Sequence, residues 1–345
     1  MTTRAVNLAI LLLLLVELFS GFAGFLTGSP GGRWVFWLHS LGGLTLVVLL
    51  AWKWRIVVRS VVRRGAGLWA LPPAFLALLF LGSLATGLLW STVGLPRIPV
   101  PVFGRWTGLT LHVALSLALV PLFVAHTIMR WPRPRIADFA GRRALLRTGG
   151  LLAAGMVSWQ ALEAASSLAG SDRRFTGSRE EGSFTGNDHP RTNWLSDRTR
   201  QIDIESWRLH VRGRVERELA LTYEELMDIE DRSARELLDC TGGWYTIQDW
   251  TGVPLTVLLD HAGVEEGARS LLVRSVTGFE RRFSLGKAPK LLLATHVSDE
   301  TLSAGHGFPL RLVAPGYRGY NWVKWVEVVE VSEAHALWQP PLPLH

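Results

Sequence analysis

Leu238-Asp239-Cys240-Thr241-Gly242-Gly243-Trp244 holds the one cysteine in a chain of 345 residues. It reads as a strand that stops at a thiol, followed by a glycine turn. The glycines admit a bulky ligand against the backbone, so a thiolate here would project into a cleft. Soft sulfur suits soft or high-valent metals. A single cysteine excludes an intramolecular disulfide and a multi-cysteine zinc site; the other readings are a buried, inert thiol or a Cys-His hydrolase, for which no local signature exists. Around this stretch, residues 207–215, 271–276 and 322–331 alternate as strands do. Thr222 and Glu225 form a capping box that opens a short helix over 223–229, and 254–262 reads as another. These elements predict an α+β domain over 193–332, large enough for its own core.

Further along lies a second block, His306-Gly307-Phe308-Pro309-Leu310-Arg311-Leu312-Val313-Ala314-Pro315-Gly316, continuing to Gly319 and Val323-Lys324-Trp325. With Trp250-Thr251-Gly252-Val253-Pro254-Leu255 after the cysteine and Leu221-Thr222-Tyr223-Glu224-Glu225-Leu226 before it, the region 190–332 resembles the oxidoreductase molybdopterin-binding domain of the sulfite oxidase family. The resemblance implies that Cys240 joins the two dithiolene sulfurs of molybdopterin around molybdenum. It implies that Thr241, His306, Arg311, Gly316 and Lys324 hold the pterin and its phosphate, for which charge-assisted donors are suited. Two departures stand out. Gly243-Trp244-Tyr245 occupies the place where sulfite oxidases carry Asn-Arg, so sulfite is not the expected substrate, and the short stretch 333–345 reads as a tail in place of an appended dimerisation domain. Arg281 and Arg282, in a hairpin strand, would serve an anionic substrate or be solvated. Trp244 and Trp250 read equally as core or as the wall of an apolar pocket.

Toward the amino terminus the character of the chain changes. Overall 48% of residues are apolar and 19% charged, against about 25% charged in an ordinary soluble domain. Residues 1–170 hold 15 Lys and Arg but only Glu17, Asp138 and Glu163 as acids. The basic residues cluster between long apolar runs, the pattern of membrane loops and not of a nucleic-acid surface. Five runs approach the roughly 20 residues a span requires: about 5–26, 34–52, 68–90, 106–129 and 148–169, the fifth diluted by Gly, Ala and Ser. Twelve basic residues (Arg4, Lys53, Arg55, Arg59, Arg63, Arg64, Arg130, Arg133, Arg135, Arg142, Arg143 and Arg147) fall on one side. Arg33, Arg97 and Arg105 fall on the other. The amino terminus is therefore expected inside, and an odd number of spans puts the second half outside the cytoplasm. Gly141-Arg142-Arg143-Ala144-Leu145-Leu146-Arg147 resembles a twin-arginine export signal, although the same arginines would serve as a positive-inside anchor.

Histidines inside spans are costly and by default functional. His39 lies five residues after Trp34 and His112 six after Trp106, which sets the two imidazoles at similar depth near the outer surface, as axial ligands of one b-type haem. His126 lies ~21 Å deeper than His112 on nearly the same helical face. Its partner position in a two-haem arrangement is Lys53, so one haem is expected; the alternative is that the three histidines only hydrogen-bond between helices. Glu17 would exchange a proton with a quinone or pair with a buried polar group. The expected protein is an all-α membrane bundle of about five spans (1–170), a linker (171–192), an exported molybdopterin-binding domain (193–332) and a tail (333–345). It would be a multi-pass oxidoreductase embedded in membrane lipid, acting on a small substrate outside the cytoplasm and coupled to a haem, a quinone or an electron-transfer partner. The rival is an electron-transfer or sensory protein whose molybdopterin fold no longer turns over.

Overall fold

The computed structural model describes residues 2–343 apart from 65–66, 102–103, 132–133, 136–140, 169–172, 195–196 and 230. Arg133, Asp138, Gly170 and His345 thus lie outside the described residues. The chain divides into two compact units, Met1–Arg179 and Glu180–His345.

The first unit is built from helices α1 (Thr3–Leu26), α2 (Arg33–Arg64), α3 (Leu71–Ser91), α4 (Gly108–Met129) and α5 (Arg142–Leu168), with a small hairpin of β1 (Ile98–Val100) and β2 (Gly104–Trp106). Local chemistry sets the starts. Thr2 and Thr107 accept from the N–H groups of Ala5 and Thr110, each at 3.1 Å, and a proline opens α3, where its missing N–H has no helical partner to lose. Helices α1 and α2 pair, α3 and α4 pair, and α5 packs on α2. Small residues permit the approach: a side chain at Gly24 would meet Phe36, and one at Gly155 would collide with Thr45. Leu12, Phe19, Leu78, Leu117 and Ile128 stay exposed, which suits lipid and not water. Four helices, α1 to α4, are long and apolar enough to cross a membrane. Helix α5 is long enough, but Arg142, Arg143, Arg147, Glu163 and its Gly and Ser content dilute it, so it does not join that set.

The second unit holds two sheets around one core. A six-stranded sheet runs β11 (Glu300–Thr301), β10 (Leu292–Val297), β7 (Trp244–Pro254), β3 (Arg179–Glu180), with β12 (Arg311–Val313) also on β10 and β6 (Arg232–Asp239) also on β7. A five-stranded sheet has the order β5 (Leu219–Leu221), β4 (Leu209–Gly213), β13 (Val326–Ser332), β8 (Ser270–Ser275), β9 (Glu280–Ser284), and β4 pairs parallel to β13. Alternate residues such as Leu209, Val211, Leu271, Val273 and Val329 are fully buried, the period-two pattern that a strand with one core face requires. The Thr222 and Glu225 capping box is present at α6 (Tyr223–Met227), and α7 (Leu255–Ala262) packs its apolar face inward. Strand β13 begins later than the sequence pattern suggests, because 319–321 form a helical turn and Trp325 adopts φ 54°.

Two boundaries differ from expectation. The polar stretch expected as a linker is bound to the β unit from residue 180 onward: Glu181 and Phe184 N–H donate to the carbonyls of Tyr245 and Ile247, both at 2.9 Å. Some of its polar side chains are tied in as well: Glu180 Oε1 accepts from Ser183 N–H at 2.8 Å and the Thr185 hydroxyl donates to Gly182 O at 2.8 Å. The expected tail is also tied down, since Gln339 exchanges hydrogen bonds with the backbone of Arg282 at 2.9 and 2.8 Å.

Candidate functional site

Antiparallel pairing of β6 with β7 runs out at Asp239 opposite Tyr245, which leaves Cys240 to Gly243 as the hairpin turn. Gly243 takes φ 91°, a conformation few other residues tolerate. Cys240 N–H donates to the Trp244 carbonyl at 2.9 Å and Gly243 N–H to the Cys240 carbonyl at 3.2 Å. Behind the turn Asp239 and Arg318, both nearly inaccessible, form an ion pair at 3.0 Å, and Arg318 also donates to the Cys240 carbonyl at 3.3 Å. A side chain at Gly319 would press on Cys240 Cα at 3.2 Å. The cysteine is thus fixed by backbone on both sides. Burial pushes its thiol pKa up, while the Gly242 N–H, 3.3 Å from Sγ, opposes that shift.

Cys240 and Thr241 line a cleft of about 70 Å³, open to solvent, together with Trp244, His306, Arg311 and Lys324. Gly316 is exposed and lies outside it; Gly319 takes the place expected for it. Arg311 is 3% exposed, stacks over the Trp250 and Trp322 rings at 5.2 and 5.9 Å, and gives one hydrogen bond, to the His306 carbonyl at 3.0 Å. Its Nε has no partner among the described residues. Burial lowers its pKa to about 10. Lys324 donates to Gly305 O and Asn193 Oδ1 at 2.8 Å and to Thr192 O at 3.2 Å; burial, then the Arg311 charge, lower it to about 7. His306 accepts from the Ser303 hydroxyl at 2.8 Å and donates through Nε2 to the His189 carbonyl at 3.0 Å. Both ring nitrogens are engaged, so His306 shapes the wall and does not offer a free donor. Burial, reinforced by Arg311, lowers it to about 4.

The sequence reading missed the segment 189–194. Arg191, Thr192, Asn193 and Trp194 line the cleft, and the His189 ring lies 4.1 Å from that of His306, tilted by 51°. Asn187 anchors this segment: its amide donates to Glu300 Oε2 and Thr301 O, at 2.8 and 2.9 Å, and its carbonyl accepts from Ser303 N–H at 2.8 Å. The run His189-Pro190-Arg191-Thr192-Asn193 carried the signal, hidden in a composition that reads as loop. Arg281 and Arg282 lie outside the cleft lining. Arg281 is buried, donates to Asn321 Oδ1 at 3.0 Å and reaches the carbonyls of Pro340 and Pro341. The tryptophans divide: Trp244 walls the cleft and Trp250 is core.

The described lining residues include three cations, Arg191, Arg311 and Lys324, against one carboxylate, Asp197. A buried guanidinium with an unmet donor, a fixed thiol and a small-residue approach at Gly242 and Gly319 fit an anionic, thiolate-ligated cofactor such as molybdenum-molybdopterin. Among the described residues no group of three or more His, Cys, Asp and Glu assembles as an all-protein metal site.

In the helical unit, the His39 and His112 rings lie 6.0 Å apart, centroid to centroid, at 83°. Nδ1 of His112 is 2.8 Å from the Ser83 carbonyl, which can only accept. Nδ1 of His39 is 3.0 Å from Glu17 Oε2 and 3.1 Å from Ser20 Oγ, whose own proton goes to Val16 O at 2.7 Å. Nδ1 of His112 therefore carries hydrogen, which leaves its Nε2 bare, and His39 is in the same tautomer when Glu17 Oε2 acts as acceptor. Side chains at Gly21 and Gly87 would crowd the two rings, at 3.4 and 3.0 Å. Among the described residues His126 joins no such pair, and Lys53 donates to Asn7 Oδ1 at 2.9 Å.

Residues 196–338 match the sequence family described as "Oxidoreductase molybdopterin binding domain". Over that stretch the chain is similar to an oxidoreductase molybdopterin-binding domain, and a region of apolar helices precedes it. Among curated proteins, the chain is 31% identical over 128 residues to the "Putative protein-methionine-sulfoxide reductase subunit YedZ1" of Azospira oryzae, covering 36% of this chain and 48% of that protein. It is 30% identical over 116 residues to the "Uncharacterized oxidoreductase YuiH" of Bacillus subtilis, covering 33% and 59%. The chain thus spans about half the length of these relatives. Among solved structures, the sulfane dehydrogenase SoxCD from Paracoccus pantotrophus is similar with TM-score 0.38 and 28% identity, over 39% of this chain and 40% of that one.

Proposed function

We propose that this chain is a membrane-anchored molybdenum oxidoreductase that exchanges electrons with the membrane through a b-type haem. The observation that carries the catalytic part is the cleft in which Cys240 is fixed among Arg191, Arg311 and Lys324. Bound there, molybdenum-molybdopterin supplies two-electron, oxygen-atom-transfer chemistry. Cys240 would ligate the metal. Arg311 and Lys324 would neutralise phosphate and orient the pterin, while Trp194 and Trp244 wall the cleft and exclude water. Since Lys324 sits near pH 7 in its free state, an anion beside it would hold its proton on.

For the helical unit, two imidazole rings 6.0 Å apart, each with a hydrogen-bond partner at Nδ1, support bis-imidazole ligation by His39 and His112. The twelve-to-three bias of basic residues supports an inside amino terminus. With α5 as a fifth span, helped by the Arg142-Arg143 signal, the cleft domain faces out of the cytoplasm. The name of the Azospira relative suggests a sulfoxide as substrate class, fed by a quinone or an electron-transfer partner.

Purified full-length chain tests the proposal: molybdenum near one per chain together with one b-type haem supports it. Haem with no molybdenum, under conditions that load other molybdenum enzymes, supports the electron-transfer or sensory alternative instead.

A further inference from the structure

Glu17 is the buried titratable group that the reading above leaves without a task, and its surroundings are built for it. Its Oε2 lies 3.0 Å from Nδ1 of His39. Its Oε1 is buried with no hydrogen-bond partner among the described residues, and it fills space that a side chain at Gly42 would occupy. Gly42 and Gly43 stand three and four positions after His39, on the same face of α2. Helix α2 therefore presents a histidine and, beside it, a notch for the carboxyl that reaches across from α1. The other axial position differs. His112 gives its Nδ1 proton to a neutral backbone carbonyl, at 2.8 Å from Ser83 O, and the neighbouring Ser83 and Ser116 hydroxyls bond each other at 2.7 Å.

We propose that Glu17 is a positioning residue that makes the two axial histidines of the haem unequal, drawing the His39 Nδ1 proton toward a carboxyl so that this imidazole becomes the stronger donor to iron and lowers the haem reduction potential. This rests on the bis-histidine reading above. An acceptor on the far nitrogen raises the basicity of a metal-bound imidazole, and ligand basicity together with local charge sets haem potential. The ferric state carries one more positive charge than the ferrous state. A stronger imidazole donor stabilises that more highly charged form. A haem so poised is the better electron donor, which favours flow out of the haem.

Redox titration of detergent-purified full-length chain, followed by the haem absorption bands, tests this with Glu17→Gln, Glu17→Asp and, as a control in the same bundle, Thr45→Ala, whose hydroxyl bonds the Leu41 carbonyl. The expected result is haem retained throughout, a midpoint raised in Glu17→Gln, a midpoint between the two in Glu17→Asp, and one unchanged in Thr45→Ala. A Glu17→Gln midpoint equal to wild type, with haem still low-spin, overturns the role of Glu17 while the haem reading stands. Absence of haem from wild type overturns the reading beneath it. Should Glu17→Gln not assemble, the near-infrared charge-transfer band of oxidised wild type decides: displacement to higher energy than for two neutral imidazoles supports the proposal, and a band at the neutral position overturns it.

Discussion

The helical unit and the β-rich unit hold their functional side chains by different means. His39 and His112 are each aimed by a few acceptors on a neighbouring helix, in surroundings with few other polar groups. Cys240 is held by its own hairpin, by the Asp239–Arg318 pair behind it and by Gly319 against its Cα. The first arrangement sets the chemistry of a side chain by a few contacts; the second fixes a backbone, and the side chain follows. Changing a ligand should therefore be a local event in both units, whereas changing a supporting group should spread only in the second.

The largest effects test the ligands themselves. Cys240→Ser should leave a folded protein that has lost turnover by more than the ~10–100-fold typical of an outer partner, with an altered molybdenum EPR signal, because hydroxyl oxygen is a poorer soft donor. Unimpaired turnover would remove Cys240 from the metal. His39→Ala and His112→Ala should each abolish the low-spin haem spectrum, while His126→Ala leaves it largely intact. A spectrum lost only with His126 would overturn the pairing.

The next effect bears on support. Asp239→Ala strands Arg318 as a buried, uncompensated charge, and breaking such a pair costs about 3–5 kcal/mol. Tryptophan-monitored unfolding of the β-rich unit should register that loss, and molybdenum occupancy should fall with it, since the Cys240 carbonyl shares the same guanidinium. A loss below about 1 kcal/mol would mean that the backbone turn holds the cysteine unaided.

How much of this was legible in the sequence depends on contrast. Within an apolar span a histidine or glutamate stands out, so His39, His112 and Glu17 could be picked individually, although the sequence could not say that Glu17 meets His39. Cys240, Thr241, Arg311 and Lys324 were found through two glycine-bearing blocks, and the cleft gathers them. The segment 189–194 was missed because its residues serve through hydrogen bonds to distant strands, which leave no periodicity. Arg281 looked like a substrate contact for the converse reason: nothing local revealed that carbonyls near the carboxyl terminus would cover it.

Acid should separate the units further. His189 and His306 are lowered to about 3 and about 4, chiefly by burial and then by Arg311, against about 6.5 in an unfolded chain. Above pH 6.5 both are neutral in either state and cost nothing. As pH falls below that value the unfolded chain takes up protons that the folded one refuses, so stability declines. The loss is about 2 kcal/mol per histidine by pH 5 and ceases to grow only below the folded values. Denaturant unfolding of the β-rich unit at pH 7 and pH 5 should show it, and His306→Gln should remove about half. A stability that rises on acidification would contradict the burial of both rings.

The smallest effect compares one interaction in two settings. Thr222 and Thr107 both cap a helix by accepting an N–H three residues on, at 3.1 Å. Thr222 sits at the exposed start of the five-residue α6, where Glu225 Oε2 accepts from its backbone N–H at 2.8 Å. Thr107 opens α4 and is 6% exposed. Replacing a capping threonine by alanine costs about 0.5–2 kcal/mol, and water can replace the lost acceptor only where it has access. Thr222→Ala should therefore lie at the low end, about 0.5–1 kcal/mol, as a small downward shift in the unfolding midpoint of the β-rich unit. Thr107→Ala should lie at the high end, read as earlier loss of the haem spectrum in a denaturant titration. Equal costs at the two caps would show that water reaches the start of α4 despite the burial of Thr107.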